Sequence, residues 1–179
     1  IAPTMYQMAH CLYMNTNLAE DYQVDTERLC QLVRDGKWTL DELISRVNGL
    51  NQDLDGNGKM DPTVDFFGLA VNTNEQQNSL ENFVTDAGVS MSKISDDGKN
   101  IEIDIMNDYT LKVLDKVKNL YIDKYKFGDQ WEYINSAFKD GRALFMWHMT
   151  ESAQNFLRDM EDDYMILPMP KGDVTQDNY

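Results

Sequence analysis

Oxygen-bearing side chains recur at alternate positions in Asp53-Leu54-Asp55-Gly56-Asn57-Gly58-Lys59-Met60-Asp61, a spacing that lets one short loop surround a hard cation. With Asp53 as position one, the side chains of Asp53, Asp55, Asn57 and Asp61 fall at positions one, three, five and nine. The Lys59 carbonyl supplies position seven, and Gly58 at position six permits the sharp turn. The chemistry implied is calcium binding. The loop departs from an EF-hand at position twelve, where Val64 stands in place of a bidentate glutamate and Asp65 follows one residue late. A paired calcium-sensor architecture is therefore not expected, and residues 53–65 read as a calcium clip inside a larger domain.

A second group, Trp147-His148-Met149-Thr150-Glu151, collects an indole, an imidazole, a hydroxyl and a carboxylate in five consecutive residues. It lies between an apolar run from Ala143 and a helical pattern from Ser152. Its side chains should crowd the carboxyl end of a strand beside the unpaired amides of a starting helix, where α/β folds bind ligands. His148 with Glu151 could also do acid–base chemistry. No Gly-x-Ser-x-Gly elbow or phosphate loop accompanies them, and His10 is the only other histidine, so an enzyme is not the expected reading.

These residues need elements to hold them. A strand is expected over His10–Met14. Asp25 can cap a helix carrying Leu29, Leu32 and Val33 and ending at Gly36, and Thr39 with Glu42 forms a capping box for a helix striped by Leu40, Leu43, Ile44, Val47 and Leu50. Phe66–Val71 reads as a strand, and Leu80, Phe83 and Val84 mark a helix. Asp96-Asp97-Gly98-Lys99 turns a hairpin between Met91–Ile94 and Ile101–Ile105. Leu111, Val113, Leu114, Val117, Leu120 and Tyr121 stripe a long helix; Trp131, Ile134, Ala137 and Phe138 stripe a shorter one. Ala143–Trp147 follows as a strand, Ser152–Met160 as a helix, and Tyr164–Leu167 as a strand closed by Pro168 and Pro170. Such alternation predicts a layered α/β domain.

Composition narrows the function classes. A formal net charge of -15 over 179 residues opposes phosphate-backbone binding, which needs Lys and Arg, so no nucleic-acid partner is expected. No run reaches the ~20 apolar residues of a membrane span, and no opening segment reads as a signal peptide. Ile1 is not an initiator, so the chain reads as a piece of a longer one. Cys11 and Cys30 are too few for a disulfide framework, and the eleven methionines are spread as core fillers.

Four segments carry a family likeness. Phe138-Lys-Asp-Gly141-Arg-Ala143-Leu-Phe145 resembles the Phe-x-x-Gly-x-Ala-x-Phe/Met segment of extracellular solute-binding proteins of family 1, the maltose-binding-protein-like receptors of ABC importers. Tyr13-Met-Asn15-Thr-Asn-Leu18 is similar to that family's crossing strand, Gly36-Lys-Trp38-Thr39-Leu-Asp-Glu42-Leu43 to its Trp-Thr/Glu-x-Glu helix opening, and Tyr164-Met-Ile-Leu167-Pro168-Met-Pro170-Lys171 to its Tyr-Gly-x-x-Pro-x-Pro. The resemblance implies that residues 1–179 form a single α/β lobe of a two-lobed, type II periplasmic-binding-protein-like fold. That lobe would be most of the second one, truncated at both ends relative to the family, with an EF-hand-like loop inserted.

Its implied role is to bind a sugar or other carbohydrate-type solute between two lobes and deliver it to a membrane permease, from an extracellular position as a cell-surface lipoprotein or periplasmic protein. Solute contacts are implied at Trp147 to Glu151, with an aromatic ring against the sugar face. One of Trp147 and His148 should face the cleft and the other the core, because strand side chains alternate. Tyr13 and Asn15 lie on the crossing strand, as hinge, packing or ligand contacts; Trp38, beside a capping box, is read as structural. Some relatives take calcium at residues matching Asp53, Asp55, Asn57, the Lys59 carbonyl and Asp61. There a carboxylate just after the ninth position completes the shell; Pro62 stands in that place here, so Asp65 or water must substitute. Two other readings are a calcium-dependent extracellular interaction module and a fragment of a polysaccharide-processing hydrolase.

Overall fold

A computed structural model of the chain describes residues 7–71, 79–121 and 131–179. Its centre is a four-stranded sheet in the order β2-β5-β1-β6, formed by β1 (His10–Asn15), β2 (Phe67–Ala70), β5 (Ala143–Met149) and β6 (Tyr164–Leu167). β1 runs antiparallel to both β5 and β6, whereas β2 is parallel to β5. The carboxyl ends of β2, β5 and β6 therefore meet the amino end of β1 along one edge.

The strands are apolar on both faces because helices cover both. Leu12, Met14, Leu69, Phe145 and Trp147 point into one cluster with Trp38, Leu43 and Phe83. Cys11, Tyr13, Phe67, Ala70 and Met146 point into the other with Ile134, Ala137 and Phe138. The first face is covered by α2 (Thr26–Arg34), α3 (Leu40–Val47), α4 (Ser79–Asp86) and α5 (Asp108–Tyr121); α6 (Trp131–Lys139) covers the second. The side chains of Tyr121 and Trp131, expected on the stripes of α5 and α6, lie outside those described. Gly68 marks a close approach of two layers: a Cβ there would stand 2.7 Å from the Val47 carbonyl oxygen.

Local signals and tertiary context divide the elements between them. Asp25 caps α2 through its Oδ1, which accepts the Arg28 amide at 2.8 Å. Thr39 caps α3, but the capping box is only half made. Thr39 Oγ1 accepts the Glu42 amide at 3.4 Å, while the Glu42 carboxylate pairs with Arg46 one turn on. α3 stops at Val47, short of Leu50, where Gly49 takes a positive φ of 78°. Trp38 is fully buried and donates Nε1–H to the Pro168 carbonyl at 3.0 Å, so the segment after β6 is stapled to the start of α3.

Three expectations need correction. The chain turns directly from β1 into α1 (Thr16–Asp21), because Asn15 is both the last strand residue and the N-cap, its Oδ1 accepting the Leu18 amide at 3.0 Å. The expected Ser152–Met160 helix is the single turn α7 (Ser152–Asn155), after which Leu157 drops into the second core cluster. β5 continues two residues past Trp147, since β1 supplies partners as far as the His10–Met149 pair. The hairpin forms as β3 (Ser92–Ile94) and β4 (Ile101–Ile103), a separate two-stranded sheet.

Candidate functional site

The edge where β5 ends is built around one turn. Tyr13, wholly buried on β1, sends its hydroxyl to the carbonyls of Met149 and Thr150, 3.0 Å from each, and accepts the Ala153 amide at 3.2 Å. From the next strand position, His148 Nδ1 accepts the Met149 amide at 2.8 Å and lies in close hydrogen-bond contact with the Ser152 hydroxyl. An amide can only donate, so Nδ1 is the accepting nitrogen toward Met149, while Nε2 stands 3.4 Å from the Asn135 carboxamide nitrogen. Burial drives the His148 pKa down to about 4. Burial likewise pushes the Tyr13 hydroxyl well above its ordinary range and the Cys11 thiol up to about 11, so all three stay neutral at pH 7.

Two buried polar groups thus grip the turn from behind, and Met149, Thr150 and Glu151 are its partly exposed residues. Trp147 and His148 do point to opposite faces, but neither opens to solvent in this chain: they are 1 % and 4 % exposed. Both rings are packed over because helices lie against both faces of β5. Asn15 is also fully buried and donates Nδ2–H to Asp162 at 2.7 Å, which ties the end of β1 to the approach to β6.

The sequence alone gave no role to His10 beyond opening a strand, nor any to Asn82. His10 pairs with Met149 in the sheet register, its ring lies parallel to Trp147 at a centroid distance of 5.0 Å, and Asn82 Nδ2 stands 3.5 Å from its Nε2. The sheet register places His10 beside Met149, and the packing of α4 brings Asn82 to it.

The Asp53 loop sits elsewhere, between α3 and β2. Asp53 Oδ1 accepts the Gly56 amide at 2.7 Å and Oδ2 the Gly58 amide at 2.7 Å, while Gly58 takes a φ of 78°. These amide bonds hold the Asp53 carboxyl below its ordinary pKa, the Gly58 bond most of all. Asp65, fully buried, accepts the amides of Leu54 at 2.8 Å and Asp61 at 2.6 Å. Oxygens of Asp53, Asp55 and Asp65 lie within 4.8 Å of one another. Two ligands of one calcium ion at 2.3–2.6 Å can stand up to about 5.2 Å apart, so the all-oxygen set fits a hard cation, with Asp65 in reach. Asn57 Oδ1 accepts the Lys59 amide at 2.8 Å. The Asp61 carboxylate is turned to the Thr63 amide and hydroxyl, 2.7 and 2.6 Å away, which lowers its pKa. Arg142 donates to the Pro62 carbonyl at 2.7 Å, tying the loop to the start of β5.

No protein-family model matches the chain, and no curated protein matches it in sequence. Solved structures do match in fold. One is UspC of M. tuberculosis, with 16% identity, a TM-score of 0.61 and 94% of this chain aligned to 43% of that one. Another is the maltose/maltodextrin-binding domain MalE of Bdellovibrio bacteriovorus bound to maltotriose, with 20% identity, a TM-score of 0.58, and 91% of this chain aligned to 37% of that one. A third is an ABC substrate-binding protein of Listeria monocytogenes in complex with cycloalternan, with 14% identity, a TM-score of 0.57, and 90% aligned to 38%. The chain spans less than half the length of each of these three structures. Among the described residues no helix is long and apolar enough to cross a membrane. The fold is the mixed α/β fold found in the lobes of maltose-binding-like solute-binding proteins.

Proposed function

We propose that this chain is one lobe of the substrate-binding component of an ABC importer, which closes on a carbohydrate-type solute together with a second lobe. The observation that carries this is the match of nine-tenths or more of the chain to part of several binding proteins, two of them holding maltotriose and cycloalternan. In this reading the protein is a receptor and not an enzyme, works outside the cell as a lipoprotein or periplasmic protein, and hands its solute to a membrane permease. Met149, Thr150 and Glu151 meet the solute. Trp147, His148, Tyr13 and Asn15 stand behind them and set their position.

The test is a calorimetric titration of the full-length protein with neutral oligosaccharides. Ala at Thr150 or Glu151 should weaken binding about tenfold, because a buried hydroxyl left without its partner costs ~1–3 kcal/mol. Absence of any binding by the unaltered protein, or turnover of a glycan, would overturn the reading.

The Asp53 loop is read as a structural calcium site with Asp53, Asp55, Asn57, the Lys59 carbonyl and Asp61 as ligands. Asp65 stands in for the missing glutamate at position twelve. Bound there, the ion would neutralise converging carboxylates and tie α3 to β2.

A further inference from the structure

We propose that His10 and Asn82 form an additional polar pair on the solute edge, reading adjacent hydroxyls of a neutral sugar. This deepens the receptor reading and rests on it. Because His10 stands opposite Met149, its ring is at the edge that also carries Thr150 and Glu151, and the backbone confirms the closeness: the Thr150 amide donates to the Ala9 carbonyl at 2.9 Å.

His10 is partly exposed where the Trp147 indole stacked on it is buried. The interplanar angle of 7° sets the imidazole flat on the indole, so of these two stacked rings it is His10 that is presented at this edge. Asn82, also partly exposed, approaches from α4 to 3.5 Å. That distance is the outer limit of a hydrogen bond, so the pair is apposed without being closed and keeps capacity for a ligand oxygen.

Chemistry then selects the ligand. Partial burial lowers the His10 pKa, leaving at neutral pH a ring with one N–H donor and one acceptor nitrogen. The Asn82 carboxamide also carries both functions. Two neighbouring groups that each donate and accept match two neighbouring hydroxyls, which do the same. They bring no positive charge for a carboxylate or phosphate, and Glu151 on the same edge repels both.

The experiment uses the full-length protein, with maltotriose, kestose and ribitol as neutral probes and gluconate as an anionic one, followed by calorimetry. At least one neutral probe should bind the unaltered protein and gluconate should not. His10→Ala and Asn82→Ala should each weaken that binding about tenfold, and the double variant should lose less than the sum of the two. His10→Gln, which keeps a donor and an acceptor, should recover most of the affinity. Since His10→Ala also removes a stacking partner of Trp147, Asn82→Ala carries the test if the former fails to fold. Neutral-sugar binding within about twofold of the unaltered protein in Asn82→Ala and in folded His10→Ala would overturn the pair while leaving the receptor reading intact. Failure of the unaltered protein to bind any neutral probe would overturn both.

Discussion

Acid should loosen this protein chiefly through one buried histidine, in a window where a half-buried aspartate works against it. His148 has a folded pKa of about 4 against an ordinary 6.5. The unfolded chain therefore takes up its proton first as pH falls. The stability tied to the neutral ring is full above pH 6.5 and is lost as pH drops through 4, by roughly 3 kcal/mol at 1.36 kcal/mol per unit. Asp86 runs the other way. Partial burial raises it from 3.8 to about 6, so its contribution is full below 3.8 and is lost as pH rises through 6; because the side chain is only half-buried, solvent screening keeps that loss to about 1–2 kcal/mol. Between pH 7 and 4 the two oppose each other, and a stability profile of the unaltered chain would show neither in full.

Asp86→Asn separates them. Urea unfolding followed by circular dichroism should show the Asn variant more stable than the parent at pH 7, then losing on the order of 2 kcal/mol or more by pH 4.5. Adding His148→Gln should remove most of that loss and leave the part that belongs to His10, whose pKa partial burial also lowers. Asp53, Asp61, Asp97 and Asp173, whose pKa values are lowered by hydrogen bonding, act below about pH 3.8 and stay out of the window. A flat profile for Asp86→Asn between pH 6.5 and 4.5 would refute the neutral, buried state of His148 and the turn geometry built on it.

Trp38→Ala should cost about 3–5 kcal/mol and lower the melting temperature sharply, because the indole is fully buried and its N–H holds the Pro168 carbonyl; a thermal melt decides. Gly68→Ala should destabilise at least as much as an ordinary overpacking change, about 1–3 kcal/mol, since the atom 2.7 Å from the new Cβ is backbone and α3 must move off β2. Calcium at a hundredfold excess over its dissociation constant should stabilise the chain by about 2.7 kcal/mol. Asp53→Ala and Asp65→Asn should each remove that gain, and a melting temperature indifferent to chelator would reduce the loop to a turn.

What could be read from the chain follows from how far each interaction reaches. Asp25 and Thr39 satisfy amides three residues away, and the apolar stripes of α2 and α3 repeat within a single helix, so a linear reading finds them. The calcium spacing of Asp53 to Asp61 is local in the same sense, and Asp65 could be suspected as the replacement ligand. The likeness to a solute-receptor lobe rested on four short segments, each of which falls on a strand end or helix start of one continuous sheet.

Tertiary structure decided the rest. Alternation predicts that Trp147 and His148 face opposite ways, but it cannot say that both sides are filled; that depends on α6 covering one face and on α2 to α5 covering the other. Asn15 reads equally as strand or cap, and the Asp162 partner contributed from 147 residues away holds it as both. α7 stops after one turn because Leu157 is drawn into the cluster of Tyr13 and Phe138, a contact invisible to helical periodicity. His10, Asn82 and Glu151 share an edge only because β1 is laid antiparallel between β5 and β6. Register is set by pairing across more than a hundred residues, and no local pattern encodes it.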